Sequence, residues 1–287
     1  MKIGINPGYF CHDKPETPFE DLCAAALLCK KYGFEDFDIL TNIVRPDWED
    51  HAKVYRAFAD ENGLRVHQSH APFFRYDTSV SSIEECKPKF FRAVDCAAIL
   101  GTKYLVIHAD EYRLPAGETW NPEKVVAEMV EYFAPVIARA TEKGINVAVE
   151  NLFEDGRWGR PRSRCCSTVE ELLPMIEGLR KYGEVSCCWD FGHAHVAFGG
   201  GDAKALRACA PYLSCTHTHD NYHGDDHLLP FLGQIDWTAQ TDVLREAGYN
   251  GNITLELVYG NVPAACADAF LAYAKTATET LVHMCGK

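Results

Sequence analysis

The stretch Cys188-Trp189-Asp190-Phe191-Gly192-His193-Ala194-His195 places a carboxylate and two imidazoles within six positions. The residues just before it, Glu184 to Cys187, read as a short buried strand, rich in small and β-forming side chains. After it, Val196-Ala197-Phe198 runs into Gly199-Gly200-Gly201. Ligand-type side chains are therefore expected where a strand ends and a loop begins. Gly192 is expected to let the backbone turn sharply between Asp190 and His193. Asp and His supply oxygen and nitrogen donors suited to a divalent cation. A buried Asp paired with a neighbouring His would give the same octapeptide, so the question is whether the pattern recurs.

It recurs from strand to strand. Short apolar segments at Lys2–Asn6, Phe34–Leu40, Leu64–His70, Lys103–His108, Ile145–Glu150, Glu184–Asp190, Leu213–His219 and Ile253–Leu257 read as strands. Helical spacing follows each in turn, at Phe19–Tyr32, Asp47–Asn62, Ile83–Leu100, Pro122–Lys143, Val169–Lys181, Asp202–Cys209, Trp237–Ala247 and Pro263–Met284. Glycine closes most of these helices, and the returns to the next strand are short. Eight such units close into an α/β fold of the (β/α)8 TIM-barrel type. No linker or break in composition divides residues 1–287, so a single domain is expected. An open doubly wound sheet is the alternative, but no GxGxxG follows the first strand, which leaves a dinucleotide site without support.

A net charge of -13 opposes binding to nucleic acid or an acidic membrane, which relies on Lys and Arg. The thirteen cysteines are scattered, odd in number and form no CxxC pair, so free thiols in a reducing cytosol are expected. The first residues lack the shape of a signal peptide, and no apolar run is long enough to span a bilayer. A cytoplasmic protein with no membrane partner is the resulting expectation.

In a barrel, chemistry sits at the C-terminal ends of the strands. Here the third strand ends in His70 and the fourth in His108. The fifth ends in Glu150, the sixth in Asp190 with His193 behind it, and the seventh in His217 and His219. The loop after the seventh carries Asp225 and His227, and the eighth strand carries Glu256. Carboxylates converging from so many consecutive tips repel one another unless a cation neutralises them, so a divalent metal site is expected. His12, His51, His67, His223 and His283 have weaker claims.

One basic segment stands out in an acidic chain: Arg157, Arg160, Arg162 and Arg164 crowd into eight positions after the fifth strand. Arginine forks suit phosphate or carboxylate oxygens, and the nearby Trp158 and Phe153 offer faces for a sugar. The segment reads either as an anion clamp over the substrate or as a charged loop that is solvated or paired with a neighbouring subunit of a homo-oligomer.

These motifs together resemble the xylose-isomerase-like TIM-barrel superfamily, which includes sugar isomerases and epimerases, inosose dehydratase, hydroxypyruvate isomerase and AP endonucleases of the endonuclease IV type. The resemblance covers essentially the whole chain. It is carried by Val149-Glu150-Asn151, Trp189-Asp190-Phe191-Gly192-His193, His217-Thr218-His219-Asp220-Asn221, Asp225-Asp226-His227, Gly233-Gln234-Ile235-Asp236-Trp237 and Leu255-Glu256.

The resemblance implies one metal held by Glu150, Asp190, His217 and Glu256, with the two glutamates also acting as acid and base. His217 rather than His219 is aligned by its spacing from Asp220. The resemblance also implies that His193 touches substrate and that His70, His108, Asp225 and His227 join the ligands in the endonuclease-type members, which hold three zinc ions. Arg160, Arg162 and Trp158 are candidate substrate contacts from the basic loop. The expected cofactor is a divalent ion, Mn, Co, Mg or Zn.

The expected function is metal-dependent isomerisation or epimerisation of a small carbohydrate, a sugar, sugar phosphate or cyclitol, through an enediolate. The alternatives are multi-zinc phosphodiester hydrolysis and an inosose-dehydratase-like lyase. The acidic net charge departs from the endonuclease pattern.

Overall fold

Eight parallel strands form one sheet in the computed structural model, which describes residues 1–11, 17–41, 43–72, 86–109, 119–154, 162, 164–257 and 262–286. They are β1 (Ile3–Ile5), β2 (Asp36–Leu40), β3 (Arg65–His70), β4 (Tyr104–Ile107), β5 (Asn146–Glu150), β6 (Val185–Asp190), β7 (Leu213–His217) and β8 (Ile253–Leu255). Their spatial order is β7-β6-β5-β4-β3-β2-β1-β8. The ends of that order meet, because Thr218 bridges to Leu255. The Thr218 N–H donates to the Thr254 carbonyl at 2.8 Å, and the Glu256 N–H donates to the Thr218 carbonyl at 3.3 Å. The expected barrel is therefore present, closed by these few bonds between β7 and β8.

Around it lie α1 (Phe19–Lys31), α2 (Trp48–Glu61), α3 (Lys87–Leu100), α4 (Pro122–Glu142), α5 (Val169–Leu179), α6 (Phe191–Phe198), α7 (Asp202–Cys209), α8 (Trp237–Glu246) and α9 (Ala267–Met284). Residues 83–85, the expected start of the third helix, lie outside the described residues. Gly101 ends α3 with a φ of 71°, a left-handed conformation that a side chain would strain.

Strand alternation sorts the side chains into two layers. Val106, Ala148, Cys188 and Cys215 point into the barrel and fill the space beneath the strand tips. Cys187, Trp189, Val147 and Ile107 belong to the outer core with Phe133, Ile137, Met175 and Leu206. Ladder register then puts Glu150 level with Cys188, and Asp190 level with His217. The inward parity that buries an alanine at 148 thus delivers a carboxylate to the barrel mouth at 150.

The sequence expectation fails at one element. No loop follows β6; α6 starts directly at Phe191. Asp190 caps it, accepting the His193 N–H at 2.6 Å. Gly192 is a weak helix former and looked like a turn, but the cap and the apolar run through Phe198 overcome it. The three glycines at 199–201 form the short 3-10 turn that passes the chain to α7.

Candidate metal centre

Glu150 lies at the middle of the strand tips and is fully buried. Its Oε2 is 3.2 Å from His70 Nε2, 3.0 Å from His108 Nε2 and 3.2 Å from His217 Nδ1. Its Oε1 is 3.1 Å from His193 Nδ1. Glu256, just past the end of β8, has Oε1 3.6 Å from His217 Nδ1. Together these five residues besides His193 form an inner pole of the site.

An outer pole forms around Asp190 and Asp225. His219 Nε2 is 3.1 Å from Asp190 Oδ1. His227 Nε2 is 3.2 Å, and His193 Nε2 3.6 Å, from Asp225 Oδ1. His193 bridges the poles, one ring nitrogen facing Glu150 and the other Asp225.

The imidazoles are held by their far sides. His70 Nδ1 donates to the Ala71 carbonyl at 2.7 Å, His193 Nδ1 to the Asn151 carbonyl at 3.0 Å and His227 Nδ1 to the Glu256 carbonyl at 3.0 Å. His217 Nε2 donates to Asp38 Oδ2 at 2.9 Å. At His70, His217 and His227 one ring nitrogen is thereby committed to an oxygen acceptor and the other faces the cluster, whereas His193 Nδ1 lies between the Asn151 carbonyl and Glu150 Oε1. That division fixes the tautomer and is what a metal-binding histidine needs. Asn151 adds rigidity: its side chain donates to the Asp190 carbonyl at 2.9 Å and accepts the Asp190 N–H at 2.7 Å.

Two further facts fit a cation. Glu150 Oε1 and His217 Nδ1 are buried and make no hydrogen bond, although potential partners lie so close. Donor atoms of His70, His108 and Glu150 lie within 4.8 Å of one another, as do those of His70, His217 and Glu256, and of His219, Asp225 and His227. With His70 and His108 already meeting Glu150 Oε2 at 3.2 and 3.0 Å, this crowding of donor atoms is that of ligands gathered around a shared ion. The mixed oxygen and nitrogen donors suit a divalent transition ion.

Electrostatics supports the same reading. Burial alone would raise the Glu150 carboxyl, but His217 and His108 overcome it and hold it well below the ordinary carboxylate range. Burial is likewise overcome at Asp190 by His193 and His219, and at Asp225 chiefly by His227, so both carboxyls are lowered. Three of the histidines shift the other way. Burial would lower them, yet the surrounding carboxylates bring His193 to about 9 and His227 to about 10, and raise His217 well above its usual value. Protons in the metal-free site thus stand where a cation would supply the charge.

Every candidate ligand from the sequence, His70, His108, Glu150, Asp190, His193, His217, Asp225, His227 and Glu256, falls in this cluster. The basic loop divides. Arg160, Trp158 and also His12 lie outside the described residues. Arg162 is turned onto the fold: its guanidinium is 2.9 Å from Glu171 and 4.6 Å from the centre of the Trp120 ring. Glu171 is fully buried and also accepts Trp120 Nε1 at 2.7 Å, so the Arg162 charge is matched internally. Arg164 lies over the Phe153 ring at 4.7 Å, and Phe153 in turn lies 5.1 Å from the His193 ring.

Sequence reasoning passed over Asp38 and ranked His219 behind His217. Asp38 could have been found as a carboxylate on the inward parity of β2. A ring-crowding glycine marks His219: a Cβ on Gly192 would stand 1.9 Å from His219 Cε1. Gly192 therefore serves close approach of that imidazole and not the expected turn.

Residues 26–277 match the family described as the xylose isomerase-like TIM barrel. Among curated relatives, a probable endonuclease 4 of Bacillus subtilis is 28% identical over 61% of this chain and 58% of its own length. An inosose isomerase of Bacillus velezensis is 22% identical over 89% of this chain and 90% of its own. The chain spans about half to three fifths of the length of the first relatives it matches. The solved D-psicose 3-epimerase of Clostridium cellulolyticum H10, with D-tagatose, superposes with a TM-score of 0.73 at 17% identity, covering 99% of both chains. At that identity the likeness shows the fold.

Proposed function

As the chain belongs to the xylose isomerase-like TIM-barrel family, we propose that it is a metal-dependent isomerase or epimerase of a sugar, sugar phosphate or cyclitol. The observation that carries this reading is the pairing of two glutamates, from β5 and from the end of β8, about one imidazole. His217 Nδ1 lies 3.2 Å from Glu150 and 3.6 Å from Glu256. A substrate with a hydroxyl beside a carbonyl has an acidic C–H, and two carboxylates at the barrel mouth suit its removal and return. The relative named as an inosose isomerase, matched along nearly its whole length, supports a polyol-like substrate.

Glu150, Asp190, His217 and Glu256 would hold the catalytic cation. When bound, it supplies positive charge that stabilises the enediolate oxygens. The two glutamates are not equivalent. Glu150 is sealed among imidazoles, whereas the Glu256 side chain is 11% exposed and has looser contacts. Glu256 is therefore the group that takes the first proton. Its return to the neighbouring carbon is isomerisation; in epimerisation the opposite face would receive a different proton, passed through Glu150 from the protonated His193 ring 3.1 Å away, while Glu256 keeps the one it removed and later gives it up to solvent. His193, anchored on Asn151, orients a substrate oxygen. Arg160 and Trp158 keep the substrate-contact role proposed from the sequence, with Arg162 fixing the base of their loop. Loss of a β-hydroxyl from the same enediolate would give the dehydratase outcome.

The outer pole favours a second reading, phosphodiester hydrolysis, in line with relatives named as endonuclease 4. The net charge of -13 weighs against it. The deciding assay supplies a panel of ketoses, ketose phosphates and inososes to the metal-loaded protein in D2O. Carbon-bound deuterium that appears with native protein and is cut 100-fold or more by both Glu150→Gln and Glu256→Gln supports the proposal. Undiminished exchange in both variants would refute the two-carboxylate chemistry.

A further inference from the structure

We infer that the Cys188 thiol is a further donor to the inner cation, from the barrel floor beneath Glu150 and His217, and that it makes this site prefer zinc to magnesium or manganese. The inference rests on the proposed reading that Glu150 and His217 hold a divalent cation. Strand register brings the thiol there. Cys188 is level with Glu150 on the ladder between β5 and β6, and level with Cys215 on the ladder between β6 and β7. Its side chain is fully buried and points into the barrel. Asp190, two residues further along β6, is level with His217. Cys188 therefore stands one inward layer below Asp190 and His217, beside the base of Glu150.

Two observations point to a ligand role. Donor atoms of Glu150, Cys188 and His217 all lie within 4.8 Å of one another. A sulfur and a nitrogen bound to one tetrahedral zinc stand about 3.5 Å apart, so the thiol is within reach of an ion held by the other two. Separately, Glu150 Oε1 and His217 Nδ1 are fully buried and make no hydrogen bond. These unpartnered atoms belong to the two residues that flank the thiol, and an ion that satisfies them stands beside Cys188. Val106 and Ala148, which share the barrel floor, offer no donor.

The consequence is a choice of metal. Carboxylate and imidazole donors alone accept many divalent ions, and carboxylate with water suits magnesium and manganese. A thiolate is soft and shifts the preference to zinc. A coordinating thiol gives up its proton, so the S–H bond is exchanged for a sulfur–metal bond and the proton passes to solvent as the ion enters.

The rival arrangement leaves Cys188 as packing, a small side chain that fills the barrel floor beside Cys215. Metal loading of the full chain separates the two. Cobalt-loaded native protein is expected to show a near-ultraviolet thiolate-to-cobalt charge-transfer band. Cys188→Ser should abolish that band, and Cys215→Ser should keep it. The preference for zinc over manganese, read by competition, should fall about tenfold or more in Cys188→Ser. X-ray absorption at the zinc edge needs no variant, which covers the case of a Cys188→Ser chain that fails to fold. Zinc-loaded native protein should show a sulfur neighbour at about 2.3 Å beside nitrogen and oxygen at about 2.0 to 2.2 Å. Bound metal with nitrogen and oxygen neighbours alone, or a charge-transfer band that survives in folded Cys188→Ser, would overturn the thiol ligand and leave the metal reading standing. Native protein that takes up neither cobalt nor zinc would overturn both.

Discussion

Asp38 shows how much one buried carboxylate can decide. It receives His217 Nε2 and also Gln68 Nε2, at 3.3 Å, and so turns His217 Nδ1 toward the two glutamates. Asp38→Asn should keep the barrel folded and weaken metal binding about 10–100-fold, the usual cost of losing such an outer partner, measured by competition with a chromophoric chelator. An affinity equal to that of native protein would show that Asp38 does not orient the ligand. The ligands themselves were legible because Asp, Glu and His at strand ends have few structural uses. Asp38 was harder to see, since β2 carries two carboxylates of the same parity, and only the structure shows that Asp36 pairs with Arg65 while Asp38 meets His217. The cysteines illustrate the same limit from the other side. Ten are buried, and burial pushes Cys96 and Cys209 up to about 12, while Cys266 alone is exposed. A thiol reagent at pH 8 should therefore label Cys266 first and the buried ten only on unfolding; fast reaction of more than three thiols would contradict this packing.

At the scale of elements, the loop from β7 to α8 carries His219, Asp225 and His227 of the outer pole and is built on Asp220. Its Oδ1 accepts the Asn221 and Ile235 N–H groups at 2.9 and 3.1 Å. Its Oδ2 accepts the Phe231 N–H at 3.0 Å and Trp237 Nε1 at 2.9 Å. Asp220→Ala strands these donors, and about 3 kcal/mol of stability should be lost in a urea titration, together with outer-site metal. A loss below about 1 kcal/mol would mean that water replaces the carboxylate without difficulty. The sequence showed this loop only as a motif, because its acceptor and donors are spread over residues 220 to 237 and no local period marks them. The helix α6 was missed for a related reason: its cap, Asp190, was read only as a ligand, whereas the structure uses it for both.

The whole barrel was the most legible feature, since eight alternations of strand and helix leave few other ways to bury the apolar faces. What the sequence could not supply was how charge is balanced at the centre. Three site histidines are raised by their carboxylate neighbours, His193 to about 9, His227 to about 10 and His217 well above its usual value. Their contribution to stability is complete below the unfolded value near 6.5 and is lost as pH rises through the folded values. Glu150, Asp190 and Asp225 are lowered, so their contribution is present above about pH 4.5 and is lost on acidification. Chelator-stripped protein should therefore melt at a falling temperature from about pH 7 to 10, and metal-loaded protein should not. Parallel curves for the two forms would show that protons and metal do not compete for these residues.

The most direct measurement is metal content per chain, by elemental analysis of protein reconstituted with zinc, manganese or cobalt and freed of loosely bound ions. With an inner and an outer pole on the same strand tips, the expected result is two or more equivalents, falling when Glu150 is replaced by Gln. A folded chain that retains less than one equivalent would contradict the assignment of these residues as a metal centre, and with it the proposed chemistry.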